Sequence, residues 1–416
     1  MFLKSISLTN FKGFDDLTFN FLGETGKIRK QTLILGQNGT GKSNVLKAIA
    51  LITSGSEAIV DLLLNPDDWV KQGKNEAFIS AILVTQKNEE RLVSLTIERG
   101  GNRNSLLNRN HEALSELDSA LIHTKRSYFV AGYGASRRHN PNAEFNSSKE
   151  RFNISERVSN IYTLFNSDAQ LNSLTSWAMN LDYTSGGTKM SVIKTTLNYF
   201  LEGFKFHSID KKNRTLLFSE GKNLLKLESL SDGYQNMAAW IGDLLYRLTE
   251  TFNDYKSPLK VRGILLIDEI DLHLHPKWQR KLLDFISTKL PNMQVIATTH
   301  SPLLAQQAKE GELYALKKGK TKIELIAFVG NPEHLLVHQM LMSPVFGLET
   351  DESFSVQKQK ELYKSIKEGT KSPENEIELK KVSDNLNSIT TQRTNSLLSE
   401  EDKNLLKDIK EAILKK

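Results

Sequence analysis

Four short stretches contain the residues best equipped for chemistry. In "GQNGTGKS", Gly36 is followed after four residues by Gly41, Lys42 and Ser43. Glycines at this spacing let consecutive backbone N–H groups point inward at phosphate oxygens; Lys42 can then reach the β- and γ-phosphates of a nucleotide, and the Ser43 hydroxyl can ligate Mg²⁺. Asn38, Gly39, Thr40 and Asn44 belong to the same loop and to the start of the helix behind it, whose dipole favours the anion. In "LLIDEIDLHLHP", Asp268, Glu269 and Asp271 come with His273 and His275, and two chemistries fit. An acid at a strand end can hold Mg²⁺ or its water while the next acid orients and deprotonates an attacking water. Alternatively, His273 and His275 alternate with leucines, so an extended segment would put both imidazoles on one side and bind zinc. In "LSDGYQ", Ser231, Asp232 and Gly233 precede an apolar-periodic helix expected from about Asn236. Such a turn is either an anion-binding helix end or an ordinary N-cap. In "ATTHSP", His300 follows a strand; histidines there are usually structural, yet this one belongs at the edge expected for Lys42 and Asp268.

The elements that must position these groups are readable from periodicity. Apolar residues alternate through Phe2, Ile6 and Leu8 and again through Leu17, Phe19 and Phe21, which predicts two strands. Leu33 to Leu35 form a short buried strand entering the glycine loop, with a helix from about Asn44. Ala77 to Glu98 read as two strands around the polar turn "QKNEE", which leaves Gln86 exposed. "RSYFVAGYGASRR" is a strand ending in a Gly-punctuated loop that carries Arg137 and Arg138, either solvated or in contact with phosphate or an interface. An inserted helical lobe is expected over about 140–228. Ile264 to Ile267 and Gln294 to Thr298 are buried strands, and open α/β sheets bind their ligands at strand C-termini. The fold class is therefore α/β, with a mixed-sheet core, an N-terminal antiparallel β subdomain and C-terminal helices. Residues 1–350 form the nucleotide-binding domain. Residues 351–416 turn rich in Lys, Glu and Asp, and Ser372 and Ser399 are N-cap signals for helices that pack, oligomerise or dock a partner.

Bulk properties narrow the class. The 416 residues include no cysteine, which excludes disulfides and thiolate metal sites and fits a reducing cytoplasm. No apolar run is long enough to cross a bilayer, so no membrane partner is expected. A net charge of +6 permits a nucleic-acid partner without demanding one. "KIRK" at 27–30, "KKNR" at 211–214 and "KKGKTK" at 317–322 are either ordinary surface lysines or a phosphate-tracking surface.

Taken in order, "GQNGTGKS", "LSDGYQ", "LLIDEID" and "ATTHSP" resemble the Walker A, signature, Walker B and switch-histidine motifs of ABC-type ATPases, in the SMC, RecF and OLD branch. With "YGASRR" and "PVFGLETD", the chain is most similar to compact ATPases of bacterial anti-phage modules such as the Septu family. The resemblance implies ATP and Mg²⁺ as ligands and a head-to-tail homodimer in which Ser231 and Gly233 of one copy cover ATP held by Gly36 to Ser43 of the other. It puts the catalytic glutamate at Glu269, the Mg²⁺-associated aspartate at Asp268, the switch histidine at His300 and a basic residue near the nucleotide at Lys12. No glutamine stands where that family's glutamine loop falls, and Arg137 is the expected substitute. Asp232 replaces a familiar glycine of the signature, and with both departures slow turnover as a switch is expected. Asp271 to His275 correspond to the segment that contacts the partner copy. Two roles follow. One is a switch that controls a separate effector, such as a nuclease, in phage defence; the other is a RecF- or SMC-like repair ATPase acting directly on DNA.

Overall fold

The computed structural model describes residues 1–124, 128–137, 155–185, 190–201, 203–252, 258–350 and 352–368. The chain divides into two compact units, Met1–Gly347 and Leu348–Lys416. In the first, β1 (Phe2–Thr9), β2 (Asp16–Asn20), β4 (Glu76–Val84) and β5 (Glu90–Glu98) form an antiparallel sheet in the order β2-β1-β4-β5. The expected N-terminal strands and the 77–98 hairpin are therefore present, and Gln86 is exposed on its turn. Between β2 and β4 lies β3 (Gln31–Gly36), which belongs to a six-stranded sheet with β6 (Val130–Tyr133), β10 (Gly263–Ile267), β11 (Met293–Thr298), β12 (Leu313–Lys318) and β13 (Ile323–Ala327). Its order is β13-β12-β3-β11-β10-β6, parallel throughout except for the β13 edge.

Period-two alternation explains why this sheet is buried on both faces. Leu33, Leu35, Leu265, Ile267, Val295 and Ala297 enter a core shared with the helices Leu174–Ser185, Asp232–Thr251 and Pro276–Lys289. Ile34, Ile264, Leu266 and Ile296 enter a second core with the antiparallel sheet and the helix Lys42–Ser54. The near-continuous apolar runs in these strands are what two covered faces require.

The lobe expected to be helical is only partly so. Helices Glu156–Phe165, Leu174–Ser185 and Met190–Phe200 are present, but β7 (Lys205–Asp210), β8 (Thr215–Glu220) and β9 (Asn223–Lys226) form a three-stranded antiparallel sheet inside the predicted helical range. In β8, Thr215, Leu216 and Phe218 are buried while Glu220 is exposed, a short alternation masked by the charged turns on either side. The helix Arg103–Thr124 was also not anticipated; Asn110 on it hydrogen-bonds both the N–H and the C=O of Thr96 and so covers the β5 edge. In the second unit the helix Phe354–Glu368 is described, while Ser372 and Ser399 lie outside the described residues, as does Arg138. Among the described residues no helix is long and apolar enough to cross a membrane.

One buried polar network ties the helix Asp232–Thr251 to the central sheet. Asp243 is fully buried; its carboxylate accepts from the Tyr133 hydroxyl at 2.9 Å, the Asn172 backbone N–H and side-chain amide at 2.9 and 2.6 Å, and the Arg247 guanidinium. Arg247 also donates to Asn160 at 2.9 Å. Burial alone would lower the Arg247 pKa, but Asp243 beside it outweighs that and holds the guanidinium above its usual range, while burial and the same carboxylate raise Tyr133. Asp243→Ala would leave Arg247 buried without its counter-ion. The expected cost is about 3–5 kcal/mol, visible as a lowered urea midpoint, and an unchanged midpoint would show that the guanidinium is not paying for its burial.

Candidate functional site

The strand order sets the site. β11 lies between β3 and β10, so the C-terminal ends of all three open on the same edge, where Gly36, Asp268 and Thr298 meet. Out of β3 the chain turns through Gln37, Asn38 and Gly39, all exposed, to Thr40, which is buried and whose hydroxyl donates to Gln37 O at 2.9 Å. Two glycines here are required on steric grounds. Gly36 has φ 147°, and a Cβ on it would stand 2.5 Å from Leu316 O of β12; Gly41 has φ 90°, and a Cβ there would stand 2.5 Å from the Phe14 ring. The helix then starts at Lys42, two residues earlier than its periodicity suggested, with Ser43 and Asn44 in its first turn.

Lys42 folds back over the loop, donating to Gly36 O at 2.8 Å and Gln37 O at 3.1 Å. Burial lowers its pKa, opposed by the nearby Asp268, Glu269 and Asp271 carboxylates. The Ser43 hydroxyl donates to Asp268 Oδ2 at 2.6 Å across 225 residues of chain, and the Thr298 hydroxyl donates to Asp268 Oδ1 at 2.6 Å. The Asp268 N–H is held by Tyr133 O at 2.8 Å. A hydroxyl and a carboxylate converging beside an open glycine loop are the donor set that a hard divalent cation with phosphate ligands takes, so Ser43 and Asp268 fit Mg²⁺. Glu269 is strained, with φ 47°. Its N–H donates to the Thr298 hydroxyl at 2.7 Å and its C=O accepts from Arg137 Nη2 at 2.6 Å, while its carboxylate has no hydrogen-bond partner among the described residues. The backbone is clamped and the acid is left available.

The other predicted residues divide. Arg137, itself at φ 31°, is 8% exposed and is brought to the acids; burial drops its pKa to about 10, against the pull of Asp268, Asp271 and Glu269. His300 is exposed immediately beyond β11, between Thr299, whose N–H donates to Ile34 O at 3.2 Å, and Ser301, whose N–H donates to the Thr299 hydroxyl at 3.0 Å. Lys12, at φ 49°, stands with its ammonium 4.1 Å from the centre of the Trp69 ring, and burial together with Lys47 lowers its pKa. Ser231 and Gly233 are not joined to the glycine loop by any hydrogen bond among the described residues. Ser231 is the N-cap of the helix Asp232–Thr251, which begins four residues before the predicted start, but its side chain makes no capping bond and is exposed.

The histidine pair is not on an extended segment. Residues 268–273 are turn, His273 adopts φ 64°, and His275 caps the helix Pro276–Lys289 by accepting from Lys277 N at 3.3 Å. Among the described residues no three His, Cys, Asp or Glu side chains converge as a metal site. Instead His273 and His275 line a cavity of about 660 Å³ with Ser231, Gly233, Tyr234 and Trp278. Asp271 is anchored by the Thr299 hydroxyl.

Thr298 and Thr299 are positions bonded to the acids to which the sequence alone gives no role. The signal was the pair of hydroxyls closing the apolar run "QVIATT", which meets the acids of the neighbouring strand. Lys47 is another: one helical turn beyond Ser43, it is partly buried, and the Asp268 charge reaches it.

A family model described as "AAA domain, putative AbiEii toxin, Type IV TA system" matches residues 32–305. The Septu protein PtuA of Bacillus mycoides is 26% identical over 349 residues, covering 83% of this chain and 45% of that protein, so the chain spans about half the length of this relative. The Retron Vc95 probable ATPase of Vibrio cholerae is 22% identical over 401 residues, covering 79% of this chain and 76% of that protein. Among solved structures, an SMC head bound to the C-winged helix domain of ScpA has a TM-score of 0.51 at 14% identity, over 79% of this chain and 98% of that one; the likeness is one of fold.

Proposed function

The chain belongs to the AAA domain family whose model it matches over residues 32–305, and from that membership and the site's geometry we propose an ATP-hydrolysing switch subunit of a bacterial anti-phage defence complex. The observation that carries the reading is the convergence of Lys42, the Ser43–Asp268 pair and the unpartnered Glu269 carboxylate at one sheet edge. Lys42 binds the β- and γ-phosphates, and Ser43 and Asp268 would hold Mg²⁺, which would supply charge neutralisation at the phosphates. Glu269 orients and deprotonates the attacking water, and His300, exposed just past the C-terminal end of the neighbouring strand β11, senses the γ-phosphate. Arg137 positions Glu269 through its carbonyl. Lys12 adds positive charge on the side of Lys47.

Two copies pair head to tail, and Ser231 and Gly233 of each cover the nucleotide of the other. The exposed, uncapped Ser231 hydroxyl at the start of a 20-residue helix supports this, since N–H groups and the helix dipole are then free for an anion from another copy. The pair controls a separate effector, such as a nuclease, and residues 351–416 serve packing, oligomerisation or partner docking; the similarity to a Septu protein and a retron ATPase supports this context.

Ser231→Arg tests the composite site. We expect it to spare ATP binding by the single chain and to remove ATP-driven pairing, read as mass by light scattering with and without ATP. Normal pairing of this variant would sink the composite site. Co-purification with the proteins of neighbouring genes, weighed in the same way, is expected to recover the effector; recovery of the chain alone, combined with tight ATP-dependent DNA binding, would favour a repair ATPase.

A further inference from the structure

One side chain of the central strand β11 is bonded to both acids of the candidate site. β11 pairs with β10 on one side and β3 on the other, and its register sets Ala297 beside Ile267, the last residue of β10. The next residues on the two strands, Thr298 and Asp268, therefore stand side by side. Thr298 is fully buried, and its hydroxyl makes two bonds: it donates to Asp268 Oδ1 at 2.6 Å and accepts from the Glu269 N–H at 2.7 Å. Chemistry fixes these directions. An amide N–H can only donate, so the single hydroxyl hydrogen is left for the carboxylate. One buried oxygen thus touches both the acid that fits a cation and the backbone of the acid whose carboxylate is unpartnered.

Each bond restrains a different freedom. Asp268 Oδ2 accepts at 2.6 Å from Ser43, the hydroxyl that fits Mg²⁺ with it, while Oδ1 is taken by Thr298. The carboxylate therefore has one oxygen committed to the fold and one on the cation side. Mg²⁺ demands near-ideal octahedral geometry, which a carboxylate free to rotate serves poorly. Glu269 sits at φ 47°, a setting that persists only where the surroundings over-determine it. Arg137 holds its carbonyl at 2.6 Å and Thr298 holds its N–H. With the Thr298 hydroxyl gone, that N–H loses its partner and the residue can relax, and a misplacement of about 1 Å at a reacting centre costs about 10²-fold in rate. On the ATPase reading of this site, on which the assignment rests, we infer that Thr298 is a positioning residue for hydrolysis: its hydroxyl reserves Asp268 Oδ2 for the cation and fixes the backbone from which Glu269 reaches water.

Thr298→Val removes the hydroxyl at nearly constant shape, and Thr298→Ser keeps the hydroxyl while removing the methyl. Calorimetric titration of the full chain with a non-hydrolysable ATP analogue, first in excess EDTA and then in Mg²⁺, reads the phosphate loop and the cation site separately. In Thr298→Val the affinity in EDTA is expected to match the parent. The gain in affinity on adding Mg²⁺ should shrink by about tenfold or more, and kcat at saturating nucleotide and Mg²⁺ should fall by about 10–100-fold, the usual effect of removing a hydrogen-bond partner from a metal-binding carboxylate. Thr298→Ser should restore both quantities. Thr298→Cys, close in size and a weak donor, should follow Thr298→Val and replaces it if that variant does not fold. A parent-like Mg²⁺ gain and kcat in the variant lacking the hydroxyl would overturn the assignment. So would a Thr298→Ser variant as impaired as Thr298→Val, since packing of the methyl would then be responsible, and so would an equal loss of affinity with and without Mg²⁺, the mark of a damaged fold. A parent chain that gained no affinity from Mg²⁺ would instead refute the Mg²⁺-ATP reading itself.

Discussion

Glu269→Gln binds ATP as the parent does and turns it over roughly 10²–10⁴-fold more slowly, the range expected when a general base is removed. The substitution is close to isosteric, so the features that fix this residue remain. The φ of 47°, the bond from its N–H to Thr298 and the bond from Arg137 to its carbonyl involve backbone only. What changes is the carboxylate, the part of the residue that the fold leaves unpartnered. The amide can still accept a hydrogen bond from water but cannot take its proton. ATP binding by equilibrium titration and phosphate release in single turnover separate the two quantities. Equal hydrolysis by parent and variant would refute the assignment of the base, and loss of binding would move Glu269 from turnover to nucleotide retention.

Lys42→Ala removes ATP binding. The Lys42 side chain is buried, with its ammonium held over Gly36 O and Gln37 O of the loop, and it is the charge that the glycine turn presents to phosphate. Truncating one partner of a charge pair that is desolvated on binding costs about 2–5 kcal/mol, which is roughly 30- to several-thousand-fold in Kd. Stability should hold, because the two carbonyls freed by the substitution belong to a loop whose Gln37, Asn38 and Gly39 are already exposed to water. ATP affinity measured by calorimetry, alongside an unchanged melting temperature without nucleotide, checks both halves. Binding within threefold of the parent would show that backbone N–H groups alone hold the phosphates.

These two substitutions probe two walls of one candidate site, the glycine loop and the acidic strand end, and how each wall was found differs. The loop wall is a local matter. Gly36 and Gly41 adopt φ values that side chains rarely take, and a motif of consecutive residues with a strand before it and a helix after it carries that constraint within itself. The acidic wall was half legible. A four-residue apolar run ending in two acids announces a buried strand with a polar tip, and Asp268 and Glu269 do stand there. How the tip is held was not legible, because Thr298 and Tyr133, which bind it, belong to two other strands. The histidines show the limit of reasoning from spacing. Alternation with leucines suggested an extended segment, but the left-handed residues Glu269 and His273 turn the chain, and His275 is used as a helix cap. Likewise the 205–226 sheet hid within a polar stretch, since its strands are short and one of them, β9, buries no residue.

By itself the sequence determined the candidate motifs and the order in which they occur, because glycine dihedrals, apolar runs and strand-end acids are properties of neighbours along the chain. Only the tertiary structure decided which of them act together. Placing β11 between β3 and β10 brings Ser43 to Asp268, puts Thr298 against both acids and turns Arg137 onto the Glu269 carbonyl. Such pairings depend on strand order and register, which local propensity does not encode, since any of the apolar strands could have paired with any other.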